Sequence, residues 1–504
     1  MPSPAESFRI RRVLSICAVF TAGVSLAPRT LEAQSGCSFG EGSGSLNQIT
    51  LSGGARIIYL GTPHFVCDDG VQIWADSTEV YSADNMAILM GNVRYLDRAR
   101  EMRSETARYF TRIARLQARG SLVIRDLENG SRVENGSLVY LRATAQRPRE
   151  ELVVTAEDGE PRPRALLPGS GDPDTGEGAP QEVEGDRLTL VGHGYLEAVG
   201  DVRIVREALL AFADTAEFFQ DADSLLLRGE ARVDGDSYDL SARTIATGPS
   251  QEDVRELTAF PDAVLVGDDV ELEAPRIVLS TVDGALQRLV AVSLGEGEGV
   301  APDPDLLPTP PPVPVRTPGR VPPTRPTVKS EKFGMVADSL DVAAPDGVLE
   351  RIFAVGRARS ESTDRDSINV EMLPVLARSD WVEGDTIIAY FSRVSGPPDT
   401  VAPPLDSLPD VASAPEGDSS AYRLDRLEAR GNASSLYRLD PADTSAVAGV
   451  DPPALHYVVG RTITIIMRDG DVEEMKVEGP SQGLHLEPGP RRADPPADTL
   501  KVVR

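Results

Sequence analysis

The sequence predicts an all-β protein made of stacked antiparallel two-strand repeats. Two recurring phrases and a set of proline-rich interruptions predict it. The first phrase is Leu-x-Ala-x-Gly-x-apolar. It occurs at Leu116/Ala118/Gly120/Leu122/Ile124, Leu196/Ala198/Gly200/Val202/Ile204 and Leu225/Leu227/Gly229/Ala231/Val233. It returns at Ile352/Ala354/Gly356/Ala358, at Leu427/Ala429/Gly431/Ala433 and, shortened, at Met475/Val477/Gly479. Alternate residues of a strand point to one face, so each copy offers an apolar row and a polar row. In the second copy the polar row is Glu197, Asp201 and Arg203, broken by Val199. Many strands in one register mean a stack in which each unit buries its apolar row against its neighbours.

The second phrase is a small residue followed by Asp and then by apolar residues at every second position. It stands at Ala75-Asp76, Gly185-Asp186, Ala213-Asp214, Ala337-Asp338 and Gly384-Asp385. From Asp to the following phrase glycine the spacing is 15 residues for Asp76 to Gly91, 14 for Asp186 to Gly200 and 15 for Asp214 to Gly229. It stretches to 18 for Asp338 to Gly356. Each unit therefore reads as two short strands joined by a turn, with weaker copies from Glu105, Ala242 and Ala274. Helical periodicity is almost absent. The inward row is predicted to include Leu116, Ala118, Leu196, Ala198, Leu227, Ala231, Ile352 and Leu427, with Arg119, Glu197 and Arg228 outward.

Along the chain, residues 1–33 read as a signal peptide. Arg9, Arg11 and Arg12 precede an apolar run from Val13 to Ala27, and Ala33 before Gln34 is the preferred cleavage point. The run is short for a membrane span. Residues 34–70 form a tail and entry segment holding Cys37 and Cys67, an even pair in an exported chain. They read as a disulfide, with two free thiols as the alternative. Residues 71–295 make a first β block, with a Pro/Gly-rich insert at 157–182. Residues 296–328 are a proline-rich linker and the best domain boundary. Residues 329–487 make a second β block with an insert at 396–420 and a further proline-rich stretch at 441–453. Residues 488–504 read as a disordered tail. Such proline-rich segments are poor ladder formers and are expected to run extended or disordered.

Composition narrows function. The formal net charge is −28 over 504 residues, which argues against nucleic acid and for a self-repelling, solvated surface. Aromatic content is 5%, which suits a narrow interior of Val, Leu, Ala and Ile. The four histidines, His64, His193, His456 and His485, lack metal-ligand spacing. Asp68-Asp69 and Asp268-Asp269 read as turn residues rather than an acid/base pair. The glycine-rich runs are not followed by helices, so none is a phosphate loop. No catalytic residue, metal ligand or cofactor is expected.

The Ala-Asp phrase, Gly91-Asn92-Val93 and the Leu-x-Ala-x-Gly strand together resemble the OstA/LptA family. This is the lipopolysaccharide-transport β-jellyroll, also called the organic solvent tolerance-like N-terminal domain. The resemblance is best over 71–140 and 183–292 and extends over 332–392 and 421–484. It implies an elongated, slightly open β-jellyroll, here in two or more blocks, whose apolar groove shields acyl chains during outer-membrane assembly. The groove residues would be Leu116, Ala118, Leu122, Leu196, Ala198, Val202, Ile204, Leu227, Ala231 and Val233. The implied partners are lipopolysaccharide or a related glycolipid, and other jellyroll transport proteins that dock by their edge strands; the edge expected to dock here is the first unit, around Ile73–Tyr81, or the last, around Thr462–Met467. The implied place is the periplasm, with membrane association through partners. The chain departs from the short bridge proteins of that family in its length and its proline-rich inserts. Two other classes compete: a stacked-β envelope scaffold without lipid cargo, and a polysaccharide-acting β-solenoid enzyme. The scaffold follows if the inward row simply packs on itself. The enzyme would need a cluster of acids on one face, which the sequence does not offer.

Overall fold

The computed structural model describes residues 36–41, 43–168, 180–206, 209–235, 238–248, 254–267, 270–282, 285–293, 324–330, 333–362, 373–393, 422–439, 452–468 and 471–488. These form strands paired antiparallel throughout, in one 34-stranded sheet, with short 3-10 turns between some of them. Residues 1–33, read as a signal peptide, the tail from 489, the insert at 396–420, most of the stretch 441–453 and most of the linker lie outside the described residues.

The sheet is folded along a crease into two ladders that face each other. Long strands cross the crease and belong to both: Met86–Leu96, Arg100–Phe110, Tyr195–Arg206, Leu209–Phe219, Ser224–Asp234, Arg351–Ser362, Asp380–Arg393, Tyr422–Leu439 and Ala454–Arg468. Elsewhere the chain breaks at the crease into two short strands, as at Gln72–Trp74 and Ser77–Tyr81 on either side of Ala75-Asp76. In the first ladder, for example, Arg100–Phe110 pairs Met102 with Ile124, Ile124 pairs Val133, and Val133 pairs Ala165. In the second, Ala107 pairs Ala118, Ala118 pairs Leu138, and Leu138 pairs Val154. Residues of both ladders join one buried apolar cluster running from Phe65 to Ile465.

The Leu-x-Ala-x-Gly phrase is the local code for the crease. At each glycine the pairing register slips, between Met90 and Val93, Val199 and Val202, Arg228 and Ala231, Val355 and Ala358, and Arg430 and Ala433. Two residues of the bent strand then oppose one of its neighbour, which is a β-bulge and bends and twists the strand. At Gly229-Glu230 both residues are left-handed, with φ +75° and +45°. Glycine takes that conformation without a Cβ penalty. The carboxylate of Asp214 lies where a Cβ of Gly229 would stand. Asp76, Asp186, Asp338 and Asp385 sit in the same way over Gly91, Gly200, Gly356 and Gly431, and Glu105 over Gly120. Asp76, Glu105, Asp186 and Asp338 also donate their backbone N–H to the carbonyl of the facing glycine at 2.9–3.2 Å. The recurrent Asp and the recurrent Gly are thus two halves of one joint on adjacent strands.

Side-chain size grades away from the joint. Ala198 lies next to it and Leu196 two residues farther out; Ala107 is followed by Tyr109, and Ala216 by Phe218. All six are buried. Two sheets sharing a crease are closest there and diverge beyond it, toward the roughly 10 Å of stacked sheets, so methyl groups fit near the joint and large groups near the free margin.

Two crossings of the crease are interrupted, by residues 156–161 and by the stretch from 293 to 324, and both resume through Arg-Pro. Arg162 donates to Asp186 Oδ1 at 3.0 Å and to the carbonyls of Gly200 and Asp201, while Gly185 N donates to Pro163 O. Arg325 donates to Asp338 Oδ1 at 2.8 Å and to the carbonyls of Gly356 and Arg357, while Ala337 N donates to Pro326 O. The guanidinium fork covers the bulge carbonyls that the interrupted strand leaves uncovered.

Three expectations change. The insert at 157–182 contains the strand Arg164–Leu167 and the start of Gln181–Glu184, both in the first ladder, because Ala165 and Leu167 supply a short alternating row of their own. The stretch 296–328 does not divide the sheet. Leu272 pairs Val328 and Leu289 pairs Val342, so both ladders run past it. Neither Ile73–Tyr81 nor Thr462–Met467 is a sheet edge. Leu46–Thr50 and Cys37–Phe39 extend the ladders before the former, and Asp471–Glu478 and Gln482–Leu486 pair beyond the latter.

Candidate functional site: the space between the two sheets

The ten residues singled out as a groove lie between the ladders. Leu116 and Ala118 stand on the second ladder and Leu122 and Ile124 on the first, just across the joint at Gly120-Ser121. Ala198 pairs Leu188 and Ala216, Leu196 pairs Leu190 and Phe218, and Val202 pairs Ala213. Ile204 pairs Val183 and Ala211, Leu227 pairs Ala216 and Ile245, and Ala231 and Val233 pair Ala242 and Leu240. Every one is at most 3% exposed. On the same strands the side chain of Arg119 is 74% exposed and those of Glu197 and Arg228 about one third, so the inward and outward rows fall as the alternation predicts. In this conformation the protein's own side chains fill the space at these ten positions.

The free margin, opposite the crease, differs along its length. From residue 69 to 193 a charged network crosses it. Arg100, in the first ladder, donates to Glu150 Oε1 of the second at 2.5 and 2.8 Å and to Gly192 O at 3.2 Å. Its Nη2 lies 3.7 Å from Asp126 Oδ2. Tyr140 of the second ladder places its hydroxyl 2.7 Å from Glu150 Oε2 and 3.1 Å from Asp97 Oδ2 of the first. Tyr95 donates to the same Asp97 oxygen at 2.9 Å. Arg142 pairs with Asp69 and lies 3.6 Å from Asp97. His193, in the Gly192-His193-Gly194 turn, lies 3.3 Å from Asp126 and 3.2 Å from Glu128. The side chains of Arg100 and Asp126 are each 2% exposed. Formally, two guanidiniums face the four carboxylates of Asp69, Asp97, Asp126 and Glu150. Sequence reasoning weighed only Asp69, as a turn residue, and His193, as lacking metal-ligand spacing; it passed over the others, because they sit in turns and strand ends far apart in the chain.

Burial, reinforced by the Asp97 charge, pushes the Tyr95 and Tyr140 hydroxyls well above the ordinary tyrosine range. Burial and the Glu217 carboxylate push Tyr195, beside the network, up to about 12 from 10.0. A folded-state pKa above the unfolded value gives stability that is complete below pH 10.0 and is lost as pH rises through about 12. Alkaline titration followed by tyrosinate absorbance is therefore expected to show these three tyrosines ionising late and together with loss of β circular dichroism. Free titration of all tyrosines at pH 10 with the fold intact would contradict it.

Past residue 209 the margin is mainly apolar, apart from a buried Arg438–Asp380 ion pair at 2.8 Å within the first ladder. Leu209, Leu225, Val270, Leu286, Phe333 and Phe391 are half-buried and pack against the interior cluster. Phe333 of the first ladder and Phe391 of the second meet across the margin with ring centroids 5.6 Å apart.

The ladder ends carry further surface. Cys37 and Cys67, paired in register, form a disulfide that ties the terminal strand Cys37–Phe39 to His64–Cys67. Leu46 and Ile49 on the N-terminal strand of the second ladder are about half exposed, as are Leu484 and Leu486 on the C-terminal strand of the first. Among the described residues no group of three or more His, Cys, Asp or Glu is arranged to hold a metal ion. No family model matches this chain, and no curated protein matches it in sequence.

Proposed function

We propose that the protein is a non-enzymatic lipid carrier of the OstA/LptA type, exported to the periplasm, which shields the acyl chains of lipopolysaccharide or a related glycolipid between its two sheets. The carrying observation is one apolar interior, bounded by a crease on one side and, past Leu209, by half-buried apolar residues on the other. An acyl chain exposed to water costs roughly 0.8 kcal/mol per CH₂. An interior that opens along one margin relieves that cost while a charged head group stays in water. Association with other jellyroll proteins would use the terminal strands, whose outer sides offer unpaired backbone groups. The residues there are Leu46–Thr50 and Gln482–Leu486.

A second reading, a scaffold without cargo, is favoured by the near-complete burial of all ten interior positions. Photo-crosslinking in native envelopes separates the two. The carrier predicts lipid capture at Ala198, Val202, Leu227 and Ala231 and none at Glu197, Arg203 and Arg228. It also predicts that Ala198→Trp lowers capture and raises sensitivity to detergents and solvents. No capture at any inward site, together with a lower melting temperature for Ala198→Trp from overpacking, roughly 1–3 kcal/mol, would rule out the carrier and leave the scaffold.

A further inference from the structure

We propose that the network centred on Arg100 is a clasp that holds the two sheets together over residues 69–193, so that this stretch of the margin opens only when the clasp is broken. The proposal rests on the two-sheet geometry and stands whether or not the interior carries lipid.

The network's principal contacts join one sheet to the other. Arg100 reaches from the first ladder to Glu150 and Gly192 of the second. Tyr140 and Arg142 reach from the second to Asp97 and Asp69 of the first. His193 of the second meets Asp126 of the first. The joint at the crease fixes the strands on one side only. At the opposite side, between 69 and 193, these contacts close the margin outside the buried ring contacts of Tyr95 with Tyr140 and Tyr109.

The chemistry suits release better than adhesion. Where the sheets meet through apolar groups, as at Phe333 and Phe391, parting them exposes hydrocarbon to water and is opposed in proportion to area. Where they meet through ions, parting them returns each charge to water, and the recovered hydration offsets much of the lost attraction. Well-packed apolar residues in place of a buried ion pair are often neutral or stabilising, so charge is not the strongest glue available at this site. The surplus of carboxylates over guanidiniums adds repulsion that opening relieves. Closure here depends on Arg100, whose guanidinium faces Glu150 and Asp126 together.

The test measures the gap directly. Spin labels are placed by Leu127→Cys, in a first-ladder turn, and Arg149→Cys, before the second-ladder strand that starts at Glu151, in the full chain with Cys17→Ser and with the Cys37–Cys67 disulfide intact. Both positions are exposed and neither belongs to the network. Adding Arg100→Met is expected to lengthen and broaden the label distance by about 5 Å, one strand spacing, with β circular dichroism retained. Combining Arg100→Met with Glu150→Leu, which replaces the ionic contact by an apolar one, is expected to restore the parental distance. An unchanged distance in Arg100→Met would overturn the clasp, as would a lengthening that the double substitution does not reverse. Should Arg100→Met fail to fold, Glu150→Ala, which removes the carboxylate that Arg100 reaches across the margin, carries the test: lengthening supports the clasp, and an unchanged distance overturns it.

Discussion

Gly229→Ala is expected to destabilise the stack by about 2–4 kcal/mol, from a left-handed backbone and a steric conflict acting together. Gly229 has φ +75°, and an added methyl group would occupy the space of the Asp214 carboxylate. The neighbour cannot yield freely, since Asp214 lies between Ala213 and Thr215, which are held by pairing to Val202 and Val199. Chemical denaturation measures the loss. The pairing of cause and position can be separated by Asp214→Gly. That change should recover the steric part of the loss in the double variant and leave the backbone part. A full loss in both single and double variants would mean that the Asp–Gly contact plays no part.

Leu227→Ala is expected to cost about 2–5 kcal/mol. Leu227 is fully buried and pairs with Ala216 on one side and Ile245 on the other. Ala216 offers only a methyl group and Ile245 is held by its own pairing, so neither fills the vacated volume and the cavity should persist. In a stack, each unit touches mainly its neighbours. Hydrogen exchange should therefore quicken across the strands from Tyr195 to Phe260 and change little near the Arg100 network or at the C-terminal strands. Uniform quickening over the whole chain would show that the stack unfolds as one cooperative body.

Both effects were partly legible in the sequence. Alternation fixed the register, because a one-residue slip would turn every Leu of the phrase to water. The glycines and aspartates were visible as recurrences, but their meaning was not. Asp76 and Gly91 lie on different strands, and only the bulge brings the carboxylate of one over the α-carbon of the other. The Arg100 network left no periodic trace, since Arg100 begins one strand, Glu150 precedes another and Gly192 lies in a turn, all far apart in the chain. The C-terminal edge was misplaced for a different reason. Asp471–Glu478 carries acids at four of its eight positions, and its shortened phrase copy at Met475 and Val477 did not mark it as the outer strand, although with Val472 these residues face the interior cluster. Backbone pairing with Ala454–Arg468 makes it the strand beyond Thr462–Met467.

The Arg-Pro re-entry at Arg162 and Arg325 separates chain length from alignment. Each resuming strand is positioned by contacts to the next unit, at Asp186 and Gly200 or at Asp338 and Gly356, and not by the length of chain that precedes it. A longer excursion between Ser293 and Thr324 would then be opposed only by loop-closure entropy, about 0.6 kcal/mol for each doubling. The back of the crease is thus a natural graft point. A reporter domain or an affinity handle inserted there would ride on the outside of the stack, away from both the margin and the ladder ends.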